Sequence, residues 1–300
     1  MVQILLTGAT GFVGDALVPA LLADGYQLVC YTRDPEKAAK RFGSKNPNIL
    51  YITNLQFLDQ MPKYVINLSG EGIADRRWTD QRKRLLSDSR IGVTEDLVKR
   101  LNQLPGEPSV VVSGSAVGYY GSSQSEEFTE DNNAGQDFAA RLCSAWEASV
   151  EGLDIRQAKV YRLRIGVVLG RPGGFLGRLE RPFVLGLGGP LGHGRQMFSW
   201  IHRDDLVSMI RWFLNKGPEP GAYNAVSPNP VSNYEFTKTL GEVLRRPTVF
   251  RVPEIPMRLI LGELSDLLFK GQAVIPKRAS DEGFEFEYPV LKKALTQLFS

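Results

Sequence analysis

The 300-residue sequence has few of the residues that form disulfides or hold metal ions. It contains two cysteines, Cys30 and Cys143, and two histidines, His193 and His202. Two separate cysteines do not make a disulfide framework, so the sequence is typical of a reducing compartment, and we expect a cytoplasmic protein. Because there is no Cys-x-x-Cys pair and so little histidine, we expect no metal site.

Long apolar runs and an excess of one charge are also missing. No apolar run approaches the roughly 20 residues of a membrane-spanning helix. The first apolar residues indicate a strand rather than the core of a secretion signal. Lysine and arginine number 36 against 33 aspartate and glutamate, a net charge of +3, which is too weak to indicate nucleic-acid binding. We therefore expect neither a membrane nor a nucleic acid as partner.

The sequence does contain an alternation of apolar strands and a helix at its start. The run VQILLT (2–7) predicts a strand, and the glycine-rich turn GATGFVG (8–14) follows it. A helix is predicted over 15–25 from its leucine spacing, and YQLVCYT (26–32) predicts a second strand. This order is the first half of a doubly wound dinucleotide-binding unit. It predicts an α/β fold with a Rossmann-type parallel sheet.

The three glycines of the turn have separate roles in such a unit. Gly8 would permit the tight turn, Gly11 would let the backbone approach a pyrophosphate, and Gly14 would let the helix pack close to the strand. The start of the helix presents free N–H groups to the phosphates. The turn therefore predicts a bound dinucleotide.

The residues after the second strand distinguish NAD from NADP. A carboxylate at this place bonds the ribose 2′-hydroxyl of NAD, whereas an arginine accommodates the 2′-phosphate of NADP. Thr32 and Arg33 occupy the place, and Asp34 comes one step later. We predict NADP(H); the alternative is that Arg33 is solvated and Asp34 reaches back to the ribose.

A further strand, KYVINLSG (63–70), ends in small residues. Leu68, Ser69 and Gly70 would lie at the carboxyl edge of the sheet, where ligands bind in open parallel sheets. Six basic residues then cluster within 76–84 and at Arg90. They are either a solvated helix face or an anion cradle for a cofactor phosphate or an acidic substrate.

Several motifs along the chain resemble one family. They are TGATGFVG (7–14), NLSGEGIADRRW (67–78), SGSAVGYYG (113–121), LGLGGPLGHGRQMFSWIHRDDL (185–206) and LLFKGQAVIPKR (267–278). Together they resemble an atypical, epimerase-like branch of the extended short-chain dehydrogenases/reductases. Its members are NADP-dependent oxidoreductases, and some are described as cell-division inhibitors.

The resemblance implies a Rossmann domain with a smaller C-terminal α/β substrate-binding domain. The expected boundaries are 1–165 with 197–227 for the first, and 166–196 with 228–300 for the second. It also implies which residues contact the cofactor: Gly8, Thr10, Gly11, Phe12, Val13, Gly14, Thr32, Arg33, Leu68, Ser69, Gly70, Arg90 and Ser113.

The catalytic pair of the wider superfamily is missing from its expected place. A Tyr-x-x-x-Lys helix normally follows the strand-end serine by some 25 residues, and its tyrosine acts as acid or base. The predicted helix 137–150 has Ala139 and Cys143 at these positions, or Phe138 and Leu142 with a shift of one residue. The one Tyr-x-x-x-Lys, YEFTK (234–238), lies in the C-terminal half and is interpreted as chance.

Serine and tyrosine at the end of the SVVV strand remain as catalytic candidates. Ser115 matches the strand-end serine of the superfamily, with Ser113 two residues earlier. Tyr119 and Tyr120 are candidate proton donors or, alternatively, wall residues of the cleft. An unperturbed tyrosine is a poor base at neutral pH without a cationic neighbour.

Two segments of the second half carry further interpretations. The glycine-rich GLGGPLGHG (186–194) predicts a loop near the cleft, either a lid or a surface turn. The segment 255–278 has apolar residues at helical spacing and is interpreted as a core helix of the C-terminal domain, with a partner-binding face as the alternative.

The leading hypothesis is an NADP(H)-binding oxidoreductase or epimerase-like enzyme that acts on a small-molecule substrate of the sugar-nucleotide type. The alternative is a non-catalytic NADPH-sensing protein that acts on a protein partner. A sugar-nucleotide epimerase with bound NAD is disfavoured by Arg33 and by the missing pair.

Overall fold

The computed structural model describes residues 2–300, which fold around a parallel sheet. The strands are β1 (Gln3–Thr7), β2 (Gln27–Tyr31), β3 (Ile49–Ile52), β4 (Tyr64–Asn67), β5 (Val110–Ala116), β6 (Glu127–Phe128), β7 (Lys159–Ile165), β8 (Val167–Leu169), β9 (Met197–Phe198), β10 (Trp200–His202), β11 (Gly221–Ala225), β12 (Val231–Ser232) and β13 (Ala273–Val274). The helices are α1 (Gly14–Ala23), α2 (Pro35–Phe42), α3 (Asp80–Ser87), α4 (Val93–Asn102), α5 (Phe138–Ser149), α6 (Gly174–Val184), α7 (Arg203–Asn215), α8 (Asn233–Leu244), α9 (Glu254–Leu261), α10 (Asp266–Phe269), α11 (Lys277–Asp281) and α12 (Leu291–Phe299).

Seven strands form the main sheet in the order β11-β7-β5-β4-β1-β2-β3, and all of its pairs are parallel. Thr7 at the end of β1 aligns with Tyr31 on one side and Asn67 on the other, and Asn67 aligns with Ser113. The order in which strands are added reverses between β1 and β4, so a crevice opens at the carboxyl ends of these strands. The predicted doubly wound α/β fold is confirmed.

Side chains of the central strands alternate between two apolar layers. Ile4 and Leu6 of β1 pack in the layer that includes α1 and α7, whereas Leu5 packs in the layer that includes α4. This follows from the period of two in a strand. Because both faces are buried, the sheet is a rigid support for the residues at its edge.

A third apolar cluster lies in the later part of the chain. It joins residues of α6, α8 and α12, including Leu176, Phe236 and Leu295, with Trp200 of β10. These elements would form the smaller C-terminal domain. The predicted domain boundaries stay a prediction from the sequence.

The interpretation of 255–278 as a core helix is wrong. The segment is divided into α9, a 3₁₀ turn at Gly262–Ser265, α10 and β13, and α9 buries none of its side chains. Ile255 and Leu259 are each 75% exposed. Helical spacing of apolar residues predicts a helix, but it does not say what covers its apolar face.

Within residues 2–300, no helix is long and apolar enough to cross a membrane. In the same part of the chain, histidine, cysteine and carboxylate side chains form no group placed to hold a metal ion.

Candidate functional site

The glycine turn between β1 and α1 leaves room for backbone only. Gly8 has φ +74°, and a Cβ there would lie 2.5 Å from the carbonyl oxygen of Leu68. A Cβ at Gly14 would overlap the carbonyl oxygens of Gly8 and Ala9. The turn is closed by a hydrogen bond from Gly11 N to Gly8 O, 3.0 Å. The N–H groups of the first turn of α1 therefore point to a site that side chains leave open, a geometry suited to a pyrophosphate.

Phe12 connects this turn to the C-terminal part of the chain. Its ring lies under Gly170 and Gly174, where a Cβ would come within 3.0 and 2.6 Å of the ring. The guanidinium of Arg203 lies 5.1 Å from the ring centroid. Phe12 therefore helps to fix the entry into α6 against the glycine turn.

At the end of β2 the arginine side chain is exposed, whereas the carboxylate is used as a helix cap. The side chain of Arg33 is 87% exposed, with one ion pair to Glu71 at 3.0 Å. Asp34 caps α2 by accepting a hydrogen bond from Lys37 N at 2.9 Å, with Pro35 at the first helical position. Asp34 N donates to Thr32 Oγ1 at 3.2 Å. Since Asp34 is used as a helix cap, Arg33 is the residue at this strand end that has donors to offer.

A series of buried hydrogen bonds between side chains fixes the adjoining ends of β1 and β4. Thr7 Oγ1 donates to Asn67 Oδ1 at 2.6 Å, and Asn67 Nδ2 donates to Thr94 Oγ1 at 2.8 Å. Ser69 N donates to Thr7 Oγ1 at 3.2 Å. These bonds hold Leu68, Ser69 and Gly70 at the carboxyl edge, beside Gly8.

Arg90 supports this edge from below. It lies in a π-helical turn, Asp88–Gly92, and its NH2 donates to the carbonyl oxygen of Glu71 at 2.9 Å. A Cβ at Gly70 would lie 3.1 Å from the Arg90 guanidinium carbon. Burial lowers the pKa of Arg90 below its ordinary value. Arg90 therefore lies behind the backbone of Glu71 and Gly70 and is not a solvated helix residue.

Ser115 belongs to a buried ionic network. Its hydroxyl donates to Glu147 Oε1 at 2.7 Å. Arg164 binds both oxygens of Glu147, at 2.8 Å from Nε and 3.0 Å from NH2. Ser115, Glu147 and Arg164 are each at most 5% exposed. Burial by itself lowers the pKa of Arg164, but the hydrogen bonds and charge of Glu147 outweigh it and raise that pKa. Ser113 is also buried, and its hydroxyl has no hydrogen-bond partner in the described residues.

The two tyrosines face this network. The Tyr120 hydroxyl donates to Asn224 Oδ1 at 2.6 Å and accepts from Arg164 NH1 at 2.9 Å. Burial raises the pKa of Tyr120 to about 12. The Arg164 guanidinium lies 3.5 Å from the ring centroid of Tyr119. Tyr119 lines a cleft of about 600 Å³ together with Glu147 and Arg164. These contacts favour wall and packing roles for the tyrosines.

In the first of the two alignments, the positions of the missing pair are filled by small side chains. Ala139 and Cys143 of α5 are buried against the 3₁₀ turn Val117–Tyr120. A Cβ at Gly118 would lie 3.3 Å from Ala139 Cβ and 3.7 Å from Cys143 Sγ. Burial raises the pKa of the Cys143 thiol to about 12. In contrast, YEFTK lies in α8, capped by Ser232, and Lys238 donates to the carbonyl of Thr248.

The glycine-rich loop is irregular, as predicted. Gly192 N donates to Val252 O and Val252 N donates to Pro190 O, both at 2.9 Å. Leu191 N donates to Asn233 Oδ1 at 2.8 Å. The loop is therefore tied to the segment before α9 and to the start of α8.

Sequence reasoning missed Glu71, did not single out Arg82 among the basic residues of 76–84, and assigned no role to Glu147. Arg82 is 9% exposed, donates to Gly72 O at 2.6 Å and lies 3.6 Å from Glu71. The signal in the sequence was a glutamate shortly before the basic segment (Glu71) and a glutamate in the apolar part of a helix (Glu147). Both are costly to bury unless a cation pairs with them.

Comparisons with known proteins agree with this geometry. Residues 4–225 match the NAD dependent epimerase/dehydratase family, and residues 252–298 match a domain of unknown function, DUF1731. An Arabidopsis thaliana protein named epimerase family protein SDR39U1 homolog, chloroplastic, is 40% identical over 295 residues, which cover 97% of this chain and 84% of that protein.

Solved structures have the same fold. The human epimerase family protein SDR39U1 (isoform 2), solved with NADPH, has a TM-score of 0.89 and 32% identity, covering 99% of each chain. The UDP-glucuronic acid 4-epimerase of Bacillus cereus has a TM-score of 0.79 over 99% of this chain, but its 19% identity shows the fold alone. The chain belongs to the NAD dependent epimerase/dehydratase family, in the atypical extended short-chain dehydrogenase/reductase branch that includes SDR39U1.

Proposed function

We propose that the chain binds NADP(H) at the carboxyl edge of β1, β2 and β4. The observation that carries this proposal is the contrast at the end of β2: Arg33 is exposed, whereas Asp34 is committed to the cap of α2. Arg33 would bind the 2′-phosphate and the glycine turn would hold the pyrophosphate. The NADPH in the human SDR39U1 structure supports the assignment.

Arg33→Ala is expected to weaken NADPH binding about tenfold and to leave NADH binding unchanged. The reason is the loss of a charge-assisted hydrogen bond to the 2′-phosphate. Solvent weakens this bond because the side chain is exposed. Titration calorimetry with both cofactors measures the two dissociation constants. Arg156→Ala, which removes an exposed arginine from the loop after α5, is the matched control. Equal NADPH affinity for Arg33→Ala and wild type would contradict the NADP assignment.

For the reaction, we infer hydride transfer at the nicotinamide with a small-molecule carbonyl or alcohol of the sugar-nucleotide type. When bound, the reduced nicotinamide would supply a hydride to a carbonyl, and the oxidised nicotinamide would accept one from an alcohol. Ser115 is the protein group that we assign to the substrate carbonyl, because it lies at the end of β5. Its hydroxyl hydrogen is directed at Glu147, so it would have to turn to the substrate. Tyr119 is preferred over Tyr120 as proton donor, because the Tyr120 hydroxyl already donates one hydrogen bond to Asn224 and accepts another from Arg164.

Ser115→Ala is expected to reduce NADPH oxidation at least about 100-fold with any carbonyl substrate that wild type reduces, because general acid and orienting groups contribute about 10²–10⁴-fold. NADPH affinity would stay unchanged. A spectrophotometric screen of sugar nucleotides and simple carbonyls, with Ser149→Ala of α5 as control, measures this. Full turnover by Ser115→Ala would rule out this role for Ser115.

A second function is favoured by one set of observations. Ala139 and Cys143 fill the places of the catalytic pair, and α9 exposes its apolar side chains. A non-catalytic NADPH-sensing protein that acts on a protein partner would need neither a tyrosine nor a lysine in α5. Micromolar NADPH binding without turnover across the screen would support this function. The cytoplasmic location stays a prediction, and the Arabidopsis relative is named as chloroplastic.

A further inference from the structure

Three charged side chains form a row between the ends of β2 and β4. Arg33 NH2 lies 3.0 Å from Glu71 Oε1, and Arg82 NH1 lies 3.6 Å from Glu71 Oε2. The two arginines differ in burial: the side chain of Arg33 is 87% exposed and that of Arg82 is 9% exposed. Glu71 is therefore shared between an exposed cation and a buried one.

The backbone of Glu71 is held from both sides. Its N–H donates to Ser89 Oγ at 3.0 Å, and its carbonyl oxygen accepts from Arg90 NH2 at 2.9 Å. Both partners lie in the π-helical turn Asp88–Gly92. The backbone of Glu71 is held in place and its carboxylate is paired with the buried Arg82, so the exposed Arg33 is the partner that can turn away.

We propose that Glu71 is a specificity-determining residue that competes with the 2′-phosphate of the dinucleotide for Arg33. This inference rests on the proposed NADP(H) function. Without cofactor, the Glu71 carboxylate is the counter-ion of Arg33. When a 2′-phosphate arrives, Arg33 turns to it, and Arg82 keeps Glu71 paired. The competition is therefore limited to the strength of one exposed ion pair.

The charge of Glu71 acts on only one of the two cofactors. NADPH carries a 2′-phosphate, and Glu71 withholds from it the arginine that would bind it. NADH has a 2′-hydroxyl there and does not need Arg33. Glu71 therefore lowers the affinity for NADPH and leaves the affinity for NADH unchanged. It reduces the preference for NADPH over NADH that Arg33 creates.

Glu71→Gln tests the inference because it removes the charge and keeps an oxygen that accepts from Arg33. We expect the dissociation constant of NADPH to fall about threefold to fivefold, the size of an exposed ion pair. The constant for NADH would change less than about twofold. Glu36→Gln is the matched control, because Glu36 is an exposed carboxylate of α2 three residues from Arg33. It would leave the ratio of the two constants unchanged.

The same substitution in an Arg33→Ala background completes the cycle. Glu71→Gln should then have no effect on NADPH, because the arginine for which Glu71 competes is gone. Thermal unfolding of each variant verifies that the fold is intact. Weaker or unchanged NADPH binding by Glu71→Gln, or an effect that persists without Arg33, would overturn the inference. Weaker NADH binding would overturn it too, since Glu71 would then contact the cofactor itself.

The wild-type titration separates this inference from the function on which it rests. A wild-type protein that binds NADPH no more tightly than NADH would refute the proposed cofactor. A wild-type protein that prefers NADPH, with a Glu71→Gln variant that shows the same preference, would refute only the role of Glu71.

Discussion

Arg164→Ala is expected to lower the free energy of unfolding by about 3–5 kcal/mol, the range found when one partner of a buried ion pair is removed. Glu147 is only 5% exposed, and the substitution would leave its carboxylate with the Ser115 hydroxyl as its remaining side-chain donor. It would also remove the donor that the Tyr120 hydroxyl accepts from. Urea unfolding followed by circular dichroism measures the change.

Arg162→Ala is the matched control for this prediction. Arg162 lies two residues earlier on β7 and also pairs with a glutamate, Glu151, but the two side chains are 32% and 64% exposed. Its loss should cost less than about 1 kcal/mol. The double variant Glu147→Leu, Arg164→Met should recover much of the lost stability, because no charge is left buried. Similar losses for Arg162→Ala and Arg164→Ala would contradict the structural role of the network.

Gly8→Ala is expected to weaken NADPH binding roughly 100-fold. An alanine at φ +74° is strained by about 1–2 kcal/mol, and its Cβ would lie 2.5 Å from the carbonyl oxygen of Leu68. The turn would move away from β4, and one or two N–H groups would lose their alignment with the phosphates. Each charge-assisted hydrogen bond contributes about 1.5–3 kcal/mol, which corresponds to this loss. Calorimetric titration gives the affinity, and thermal unfolding gives the stability.

Gly25→Ala is the control that separates backbone strain at a positive φ from the steric clash of the new Cβ with Leu68. Gly25 has φ +84°, close to that of Gly8, but no atom lies within 4 Å of a Cβ there. It should lose stability through strain alone and bind NADPH as wild type does. If Gly8→Ala also bound NADPH with unchanged affinity, the glycine turn would not be the phosphate site.

Local features of the first half were predictable from sequence. The order of strand, glycine turn, helix and strand depends on backbone freedom at Gly8 and on apolar periodicity, both of which are readable along the chain. The position of Arg33 followed from the end of β2. The helix over α5 and the absence of a Tyr-x-x-x-Lys pair in it were equally readable.

Pairings between distant residues were not predictable. Ser115 forms a hydrogen bond with Glu147, 32 residues later in the sequence, and Tyr120 forms one with Asn224, 104 residues later. The sequence suggested that Ser115 and Tyr120 face a substrate, whereas the fold directs both hydroxyls into the Arg164 network. A lone sequence shows which groups are polar, but not which of them are already paired.

The sequence by itself determined the parallel α/β sheet, the glycine turn and the arginine after β2, because these depend on local backbone sterics and on periodicity. Only the tertiary structure decided that Glu71 holds Arg33, that Arg90 supports the backbone from behind, and that α9 exposes its apolar face. Burial and charge pairing depend on which elements pack together, and packing joins residues that the sequence keeps apart.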